Sequence, residues 1–571
     1  MEAHFVDINH GEILERDDNV TSNDDFVLSA KEALSGPDAE NWRKAMEDEM
    51  ESLRKTGTWT LVEPPNNRQI ITCKWVLRIK RNATGEPVRF KARVVARGFS
   101  QVPGIDFKDT FSPTLKITGF RMLVALAALH NLELHHLDVQ TAFLHGELSE
   151  EIYMQQPPFF EDSTYPHHVC RLQKSIYGLK QSPRVWYHKL HSFLINVGYN
   201  RLKNEPNIYL RKTNTTFIII GVYVDDIPLI SNSKSCINLA KKELASVFPI
   251  SDLGPMTQFL GIQVIRNRIS RSISLSQSQY IDTILKRFDM LHCKPINTPM
   301  TAPCKLSLDD SPKNDRERSE MEVVPYKQVL GCIRYLVSCT RPDICFAASF
   351  LSRFMANPGP KHWIALKRLL RYLKQTQHLA LTYSASQSES EPSTLVQGWT
   401  NPNSSQLCGW SDSDWGGDVD GRKSTGGYVY TLAGAAIAWR SKKQTTVALS
   451  STEAEYVAAA LAAKEGVWIN SILEELKLFD IPAITLFCDN QSCIKLANNP
   501  KMSDNIRHVD FKHHFLRDLI ETKKVDLKYT PSIHMWADFL TKPLSHTKHN
   551  RCCKEIGLVD TDHESHNPLE F

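Results

Sequence analysis

The sequence predicts a multidomain chain of mixed class, α+β with α/β parts, on three observations. Its 571 residues exceed what one hydrophobic core sustains, so several domains of ordinary size are expected. Apolar, β-branched runs recur with acids at their ends; the plainest is FIIIGVYVDDIPLI (217–230), with Asp225 and Asp226 adjacent at its centre. Beyond a Ser-rich break, SASQSESEPS (384–393), the pattern becomes strand, strand, helix, strand, helix.

Taken in order, residues 1–35 are polar and acidic and are expected to be disordered. NWRKAMEDEMESL (41–53) carries Trp42, Met46, Met50 and Leu53 at helical spacing. TWTLV, ITCKWVLRIK and FKARVVARGF read as strands, the last two joined by the turn TGEP. FRMLVALAALH (120–130) reads as a buried helix, and LELHHLDVQTAFL (132–144) opens as a strand. LDDSPKNDRERSE (308–320) reads as a linker or long loop. Helices containing YKQVLGCIRYLVSC and HWIALKRLLRYLK follow; in the second, Lys367, Arg368, Arg371 and Lys374 share one face and leucines supply the other. The third block runs CGWSD, GGYVYTL, AIAWRS, a helix near 452–477, then ITLFCDN.

Hydrophobic content of 42% and charged content of 23% are those of a soluble globular protein. The net charge is only +4, but residues 66–100 hold nine Lys/Arg against one acid, Glu86. Such a strip suits a polyanion, with a solvated face as the plain alternative. Thirteen cysteines occur without a Cys-x-x-Cys pair, so neither a zinc ribbon nor a disulfide framework is expected, and a reducing compartment fits. No apolar run reaches the length of a membrane span, and the opening MEAHFVDINHGEILERDD does not read as a signal peptide. The expectation is an intracellular protein with no membrane partner.

Two carboxylates between apolar residues are costly to bury unless a cation joins them. Asp225-Asp226 therefore reads either as a hairpin tip holding divalent metal or as an ordinary Asp-Asp turn. Asp138 ends a strand in HHLDVQTAFL, and three carboxylates on adjacent strands of one sheet can hold two hard cations. Two such ions activate an attacking hydroxyl and neutralise a leaving pyrophosphate, the minimum chemistry for nucleotide addition.

RFKARVVARGFSQ (89–101), IDFKDTFSPT (105–114), LDVQTAFLHGEL (137–148), KSIYGLKQSP (174–183) and VYVDD (222–226) together resemble the reverse transcriptases of copia-type retrotransposons. The resemblance runs from about Leu34 to Pro543. It implies a right-hand polymerase of fingers, palm and thumb over 36–300, a linker and helical connection over 301–395, a ribonuclease H-like domain over 396–545 and a tail over 546–571. It also implies Asp138 and Asp225 as principal metal ligands, with Asp226 completing the triad. Lys91, Arg93 and Arg97 match the finger strand that touches the incoming triphosphate. Phe143 stands where relatives place a steric gate against a ribose 2′-hydroxyl, and core packing is the alternative. Gly178 and Pro183 are expected to shape a template-side loop and a helix start. Pro228 departs from the pattern: it removes a ladder donor, which edges and bulges tolerate, and it is expected to strain the hairpin.

The third block places Asp412 at a strand end, Glu455 on a helix, Asp489 at a later strand end and Asp538 on a terminal helix. That order resembles the ribonuclease H domain of the same elements. Asp414 competes with Asp412 and Glu453 with Glu455; Glu455 is preferred because Tyr456 and Ala459 continue its apolar face. His135-His136, His167-His168 and His513-His514 read as surface or packing residues, and Cys488 and Cys493 as buried structure.

The implied cofactor is Mg2+, two per active site, with Mn2+ as the other candidate. The implied partners are an RNA template, the RNA–DNA hybrid, a primer and dNTPs, with the capsid and integrase products of a polyprotein as further candidates. The implied setting is the cytoplasm, within virus-like particles, or the nucleus. Neither an Asp-Ser/Thr-Gly protease motif, a nucleocapsid knuckle nor an integrase segment is recognisable, so the chain is expected to be part of a longer polyprotein or of an element fragment. A decayed copy that binds nucleic acid without catalysis is the competing reading. The polar break at 384–393 is expected to leave the two active domains independent.

Overall fold

The computed structural model describes residues 29–81, 87–385, 405–478, 483–499 and 510–561, without the side chains of 80, 81 and 510–514. Strict alternation decides the faces of the first hairpin, Cys73–Arg81 with Pro87–Ala96. Ala92, Val94 and Ala96 are buried in one cluster with Met46, Met50 and Leu53 of the helix Ala39–Lys55. Its other face carries Lys74, Arg78, Arg89, Lys91 and Arg93, with Lys91 directly across from Arg78. The basic strip is thus largely one face of one ribbon. The turn TGEP lies mostly outside the described residues.

Beside it stands a four-stranded sheet in the order Trp59–Val62, Val169–Lys174, Glu147–Met154, Ile70–Ile71. Next comes an antiparallel sheet of six, ordered Ile250–Pro255, Glu133–Val139, Asp226–Ser231, Phe217–Gly221, Ile208–Lys212, Asn200–Arg201. Leu134, Ile219 and Ile230 pack on the helix Ile117–Leu129, while Leu137, Ile218, Ile220 and Leu229 meet Trp186, Leu190, Ile237 and Leu244 of two helices opposite. Burial on both faces explains why these strands read as continuous apolar runs.

A five-stranded sheet is assembled from distant segments: Gln258–Phe259, Ile262–Asn267, Ser272–Ser276, Leu379–Ser384 and Leu558–Asp560. Helices Ser278–Arg287, Tyr326–Cys339, Cys345–Ser352 and Pro360–Gln375 share a separate core. At its end Arg341 and Asp343 are fully buried and joined at both carboxylate oxygens, 2.9 and 2.6 Å, and the Tyr372 hydroxyl donates to the same carboxylate at 2.8 Å.

The last sheet is ordered Ala435–Lys443, Thr425–Leu432, Cys408–Ser413, Ile484–Cys488, Val525–Tyr529, antiparallel at first and parallel over the last two pairings. The helix Ser451–Leu476 lies on it through an alanine-rich face. It comes this near because Tyr430 fills space left by two glycines: a Cβ at Gly409 or Gly466 would overlap its ring or hydroxyl.

Several expectations change. Ser29 caps a helix Ala30–Ser35 with a capping box, so structure begins before 36; residues 1–28 lie outside the description. The polar stretch 308–320 is not a plain loop, because Ser307 and Asn314 cap a 3-10 turn and the helix Asp315–Glu322. The supposed tail forms the helix His546–Glu555 and the strand Leu558–Asp560.

Nor do the two halves stand apart. Arg121, 3% exposed, donates to Ile437 O at 2.7 Å and to Ser338 O and Cys339 O at 2.6 and 2.8 Å, and lies over the Trp439 ring. Burial lowers its pKa to about 10, with Tyr383, Cys339 and Glu465 opposing. Trp468 donates to Asn204 O at 3.1 Å and Glu475 accepts from Lys203 N at 2.6 Å. The linker composition is a poor guide because apolar burial elsewhere joins the halves.

Candidate active sites

In the six-stranded sheet Asp138 lies directly across the ladder from Asp226. Tyr223 and Asp226 exchange backbone hydrogen bonds of 2.9 Å each, closing a two-residue turn through Val224 and Asp225. Val224 has φ +54°, a strained value for a β-branched residue. Trp186 Nε1 holds it by donating to Val224 O at 2.8 Å, and Val139 N donates to Asp225 O at 2.9 Å. Burial, then the charges of Asp226 and Asp138, push Asp225 up to about 6, with Arg93 opposing.

His136 is buried, and its Nε2 lies 2.7 Å from Asp226 Oδ1. It is more than the packing residue the sequence suggested. His136 and Asp138 are two apart on one strand face, which makes His136 the diagonal neighbour of Asp226. That alternation was legible in HHLD.

Pro228 sits in an interior strand, where a missing donor is normally not tolerated. The ladder to the neighbouring strand ends at Ile220–Leu229 and resumes at Tyr223–Asp226, so the proline falls in the gap. Gly221 makes the room: a Cβ there would meet Pro228 Cγ at 2.8 Å. The expected strain on the aspartates is answered locally.

Arg93 lies over the Tyr177 ring at 4.5 Å, and Phe143 meets the same ring edge-on at 5.2 Å. Tyr177, overlooked in the sequence, therefore joins the basic hairpin to the acids. Phe143 is half-buried, which suits either a gate or core packing. Lys91 shares Arg93's face, whereas Arg97 lies past the strand and is exposed. Gly98 and Gly178 interlock behind them: a Cβ at Gly98 would overlap Gly178 O, and one at Gly178 would overlap Ala96 O. Pro183 lies in the first turn of Ser182–Asn196.

In the last sheet, Asp412, Glu455 and Asp489 bring one carboxylate oxygen each within 4.8 Å of one another. Among the described residues no other group of three potential ligands is so close. Burial, then Asp538 among the acids, pushes Asp412 up to about 7, and burial with Asp412 raises Glu455 well above the usual range. Glu455 Oε2 is buried without a hydrogen-bond partner, and Ser532 Oγ donates to Asp489 at 2.7 Å. The competing acids are used elsewhere: Asp414 accepts from Thr425 N, and Glu453 accepts from Leu449 N at 2.7 Å at the helix start.

Asp538 lies in a single 3-10 turn, not on a helix, and is not in the group of three. Its carboxylate is 1% exposed and meets Lys542 and Lys548 as charge pairs, not as aligned hydrogen bonds. Neither lysine was singled out in the sequence, although Lys542 stands at i+4 from Asp538 in ADFLTK. The side chains of His513 and His514 lie outside the described residues.

Residues 56–302 match the reverse transcriptase (RNA-dependent DNA polymerase) family. The chain is 41% identical over 538 residues to a retrovirus-related Pol polyprotein from transposon TNT 1-94 of Nicotiana tabacum, covering 94% of this chain and 39% of that one. It is 33% identical over 325 residues to a putative transposon Ty5-1 protein of Saccharomyces cerevisiae, covering 57% of this chain and 98% of that one. The chain belongs to the copia-type retrotransposon Pol family. It spans 39% and 34% of the first two Pol polyproteins it matches, so it corresponds to a part of such Pol proteins. The ribonuclease H1 of Halobacterium salinarum aligns with 24% of this Pol chain and 94% of its own length, at 18% identity and a TM-score of 0.19. Among the described residues, no helix of this Pol chain is long and apolar enough to cross a membrane.

Proposed function

We propose that this Pol chain copies RNA into DNA at Asp138, Asp225 and Asp226 and cuts the RNA strand of the resulting hybrid at Asp412, Glu455 and Asp489. The observation that carries the reading is the register of Asp138 against Asp226 with Asp225 in the closing turn, facing a wall built from the basic hairpin. The hairpin and the four-stranded sheet act as fingers, the six-stranded sheet as palm, the segments over 256–300 as thumb, and the helices between Asp315 and Gln375 as connection.

Both sites suit Mg2+, two ions each, with Mn2+ as the other candidate. Oxygen ligands alone are offered, and at the nuclease site a buried Glu455 oxygen has no protein partner. When bound, such ions supply Lewis acidity at the attacking and leaving oxygens. Asp138 and Asp225 hold the charge in the palm, while His136 fixes the angle of Asp226. Arg93 steadies the triphosphate of the incoming dNTP, helped by Lys91, and Phe143 bounds its sugar. Arg78 and Lys91 lie across from each other on that face of the hairpin, a basic surface that suits an anionic substrate. Template, primer and hybrid run over that face, and capsid and integrase products of the polyprotein are its partners inside the cell.

The binding-only reading drew support from Pro228 and from the unrecognised protease and integrase segments, and the room that Gly221 leaves for Pro228 speaks against the first of these. The test is extension of a DNA primer on poly(rA) with dTTP and Mg2+, paired with release of RNA fragments from a labelled hybrid. Tight hybrid binding with neither reaction would overturn the proposal.

A further inference from the structure

The turn carrying Asp538 brings its own cation to the nuclease acids. Lys542 Nζ is 2.7 Å from Asp538 Oδ1 and 3.4 Å from Asp412 Oδ2, and Lys548 pairs with Asp538 Oδ2. Both carboxylates are 1% exposed, so each needs a counter-charge. The Thr541 hydroxyl also donates to Asp412 Oδ2. The turn approaches because the residue across the ladder from Asp412 is Gly427, where a Cβ would meet Leu540 Cβ at 2.7 Å. Lys542 consequently bridges one acid inside the close group, Asp412, and one outside it, Asp538.

We infer that Lys542 is a positioning residue of the nuclease site: its ammonium is the resident counter-ion of Asp412 and Asp538, and a divalent ion entering among Asp412, Glu455 and Asp489 must take Asp412 from it. The inference rests on the nuclease reading above. Lys542 does two opposed things. It keeps two buried carboxylates together before any ion arrives, and it lowers affinity for the ion by competing for one ligand. Breaking one charge-assisted hydrogen bond as the ion enters corresponds to roughly a tenfold change in a binding constant.

The test is Mn2+ binding to the full chain without nucleic acid, followed by electron paramagnetic resonance. Lys542→Gln should bind Mn2+ about tenfold more tightly, with a lower metal-free Tm and a larger rise in Tm on adding Mn2+ than the parent shows. Lys542→Arg, which keeps the charge, should return towards parent affinity. Lys548→Gln, whose lysine contacts Asp538 and not Asp412, should change affinity far less. If Lys542→Gln does not fold, Lys542→Gln with Asp538→Asn leaves no orphaned acid on the turn and should show the same tightening. Unchanged or weaker Mn2+ affinity in a folded glutamine variant would overturn the inference. Hybrid cleavage alongside unresponsive affinity would sink the inference and leave the nuclease reading intact. Responsive affinity in a chain that never cleaves hybrid would support the role of Lys542 and sink the nuclease reading.

Discussion

The palm and the nuclease site solve the same problem differently. Each gathers acids at strand ends, but the nuclease site draws three carboxylates within 4.8 Å and adds lysine counter-charges. The palm leaves its acids less closely grouped, with Asp226 tied by His136 and a wall of Tyr177, Arg93 and Phe143 alongside. A site that receives a triphosphate obtains further oxygens and charge from its substrate, whereas a site that cuts one phosphodiester receives a single phosphate. On the proposed function, the looser grouping of the first and the preassembly of the second would follow from what each substrate brings.

The strongest way to break this comparison is to show that the sites are one. Asp225→Asn should lower primer extension by about a thousandfold or more and leave RNA cleavage near normal, and Asp489→Asn should do the reverse. Loss of both activities in either folded variant would refute two separate sites.

Arg121→Met tests what the sites share. It leaves two buried carbonyls, Ile437 O and Cys339 O, and the part-buried Ser338 O without their donor, so both activities should fall together on warming, with a loss of about 2–4 kcal/mol in stability. An unchanged melting curve would mean that the halves are held by other contacts. Phe143→Val addresses the palm alone: as a sugar gate it should relax discrimination against ribonucleotides by roughly ten- to a hundredfold. If discrimination holds while Tm drops, Phe143 is core.

Glu205, 1% exposed near the contact with Trp468, is pushed up to about 7 by burial. Its unfolded value is about 4.3, so between these values the native state holds the extra proton and stability falls as pH rises. Glu205→Gln should therefore gain on the order of 1–2 kcal/mol at pH 8 and little at pH 5 in urea titrations. Equal effects at both pH values would contradict the shift. The smallest effect is expected at Pro228→Leu, with primer extension within about twofold of the parent, because the proline already fits its gap against Gly221. A large gain would revive the case for a strained palm.

Local chemistry was the legible part. Alternation placed the hairpin face, and the acids Asp138, Asp225, Asp412, Glu455 and Asp489 could be named because their motifs follow one another in the order the resemblance to copia-type elements implies. Pairings across long sequence distance were not legible. Nothing local ties Arg121 to Ile437, or Leu379–Ser384 to Leu558–Asp560, since these depend on shape and burial. Asp538 was misplaced on a helix because a single 3-10 turn has no period to read. His136 and Lys542 were within reach, one by strand alternation and the other by i,i+4 spacing.

The sheet joining Ile262–Asn267, Ser272–Ser276, Leu379–Ser384 and Leu558–Asp560 has a consequence for synthesis. Its final strand leaves the ribosome some three hundred residues after its first, a delay of tens of seconds at about 5–20 residues per second. Until then Leu379–Ser384 presents an open edge, with Leu381 and Tyr383 awaiting cover. A nascent chain that cannot finish this sheet should be a client of holding chaperones, and completion of the nuclease half would then also mark the moment at which the polymerase half becomes fully shaped.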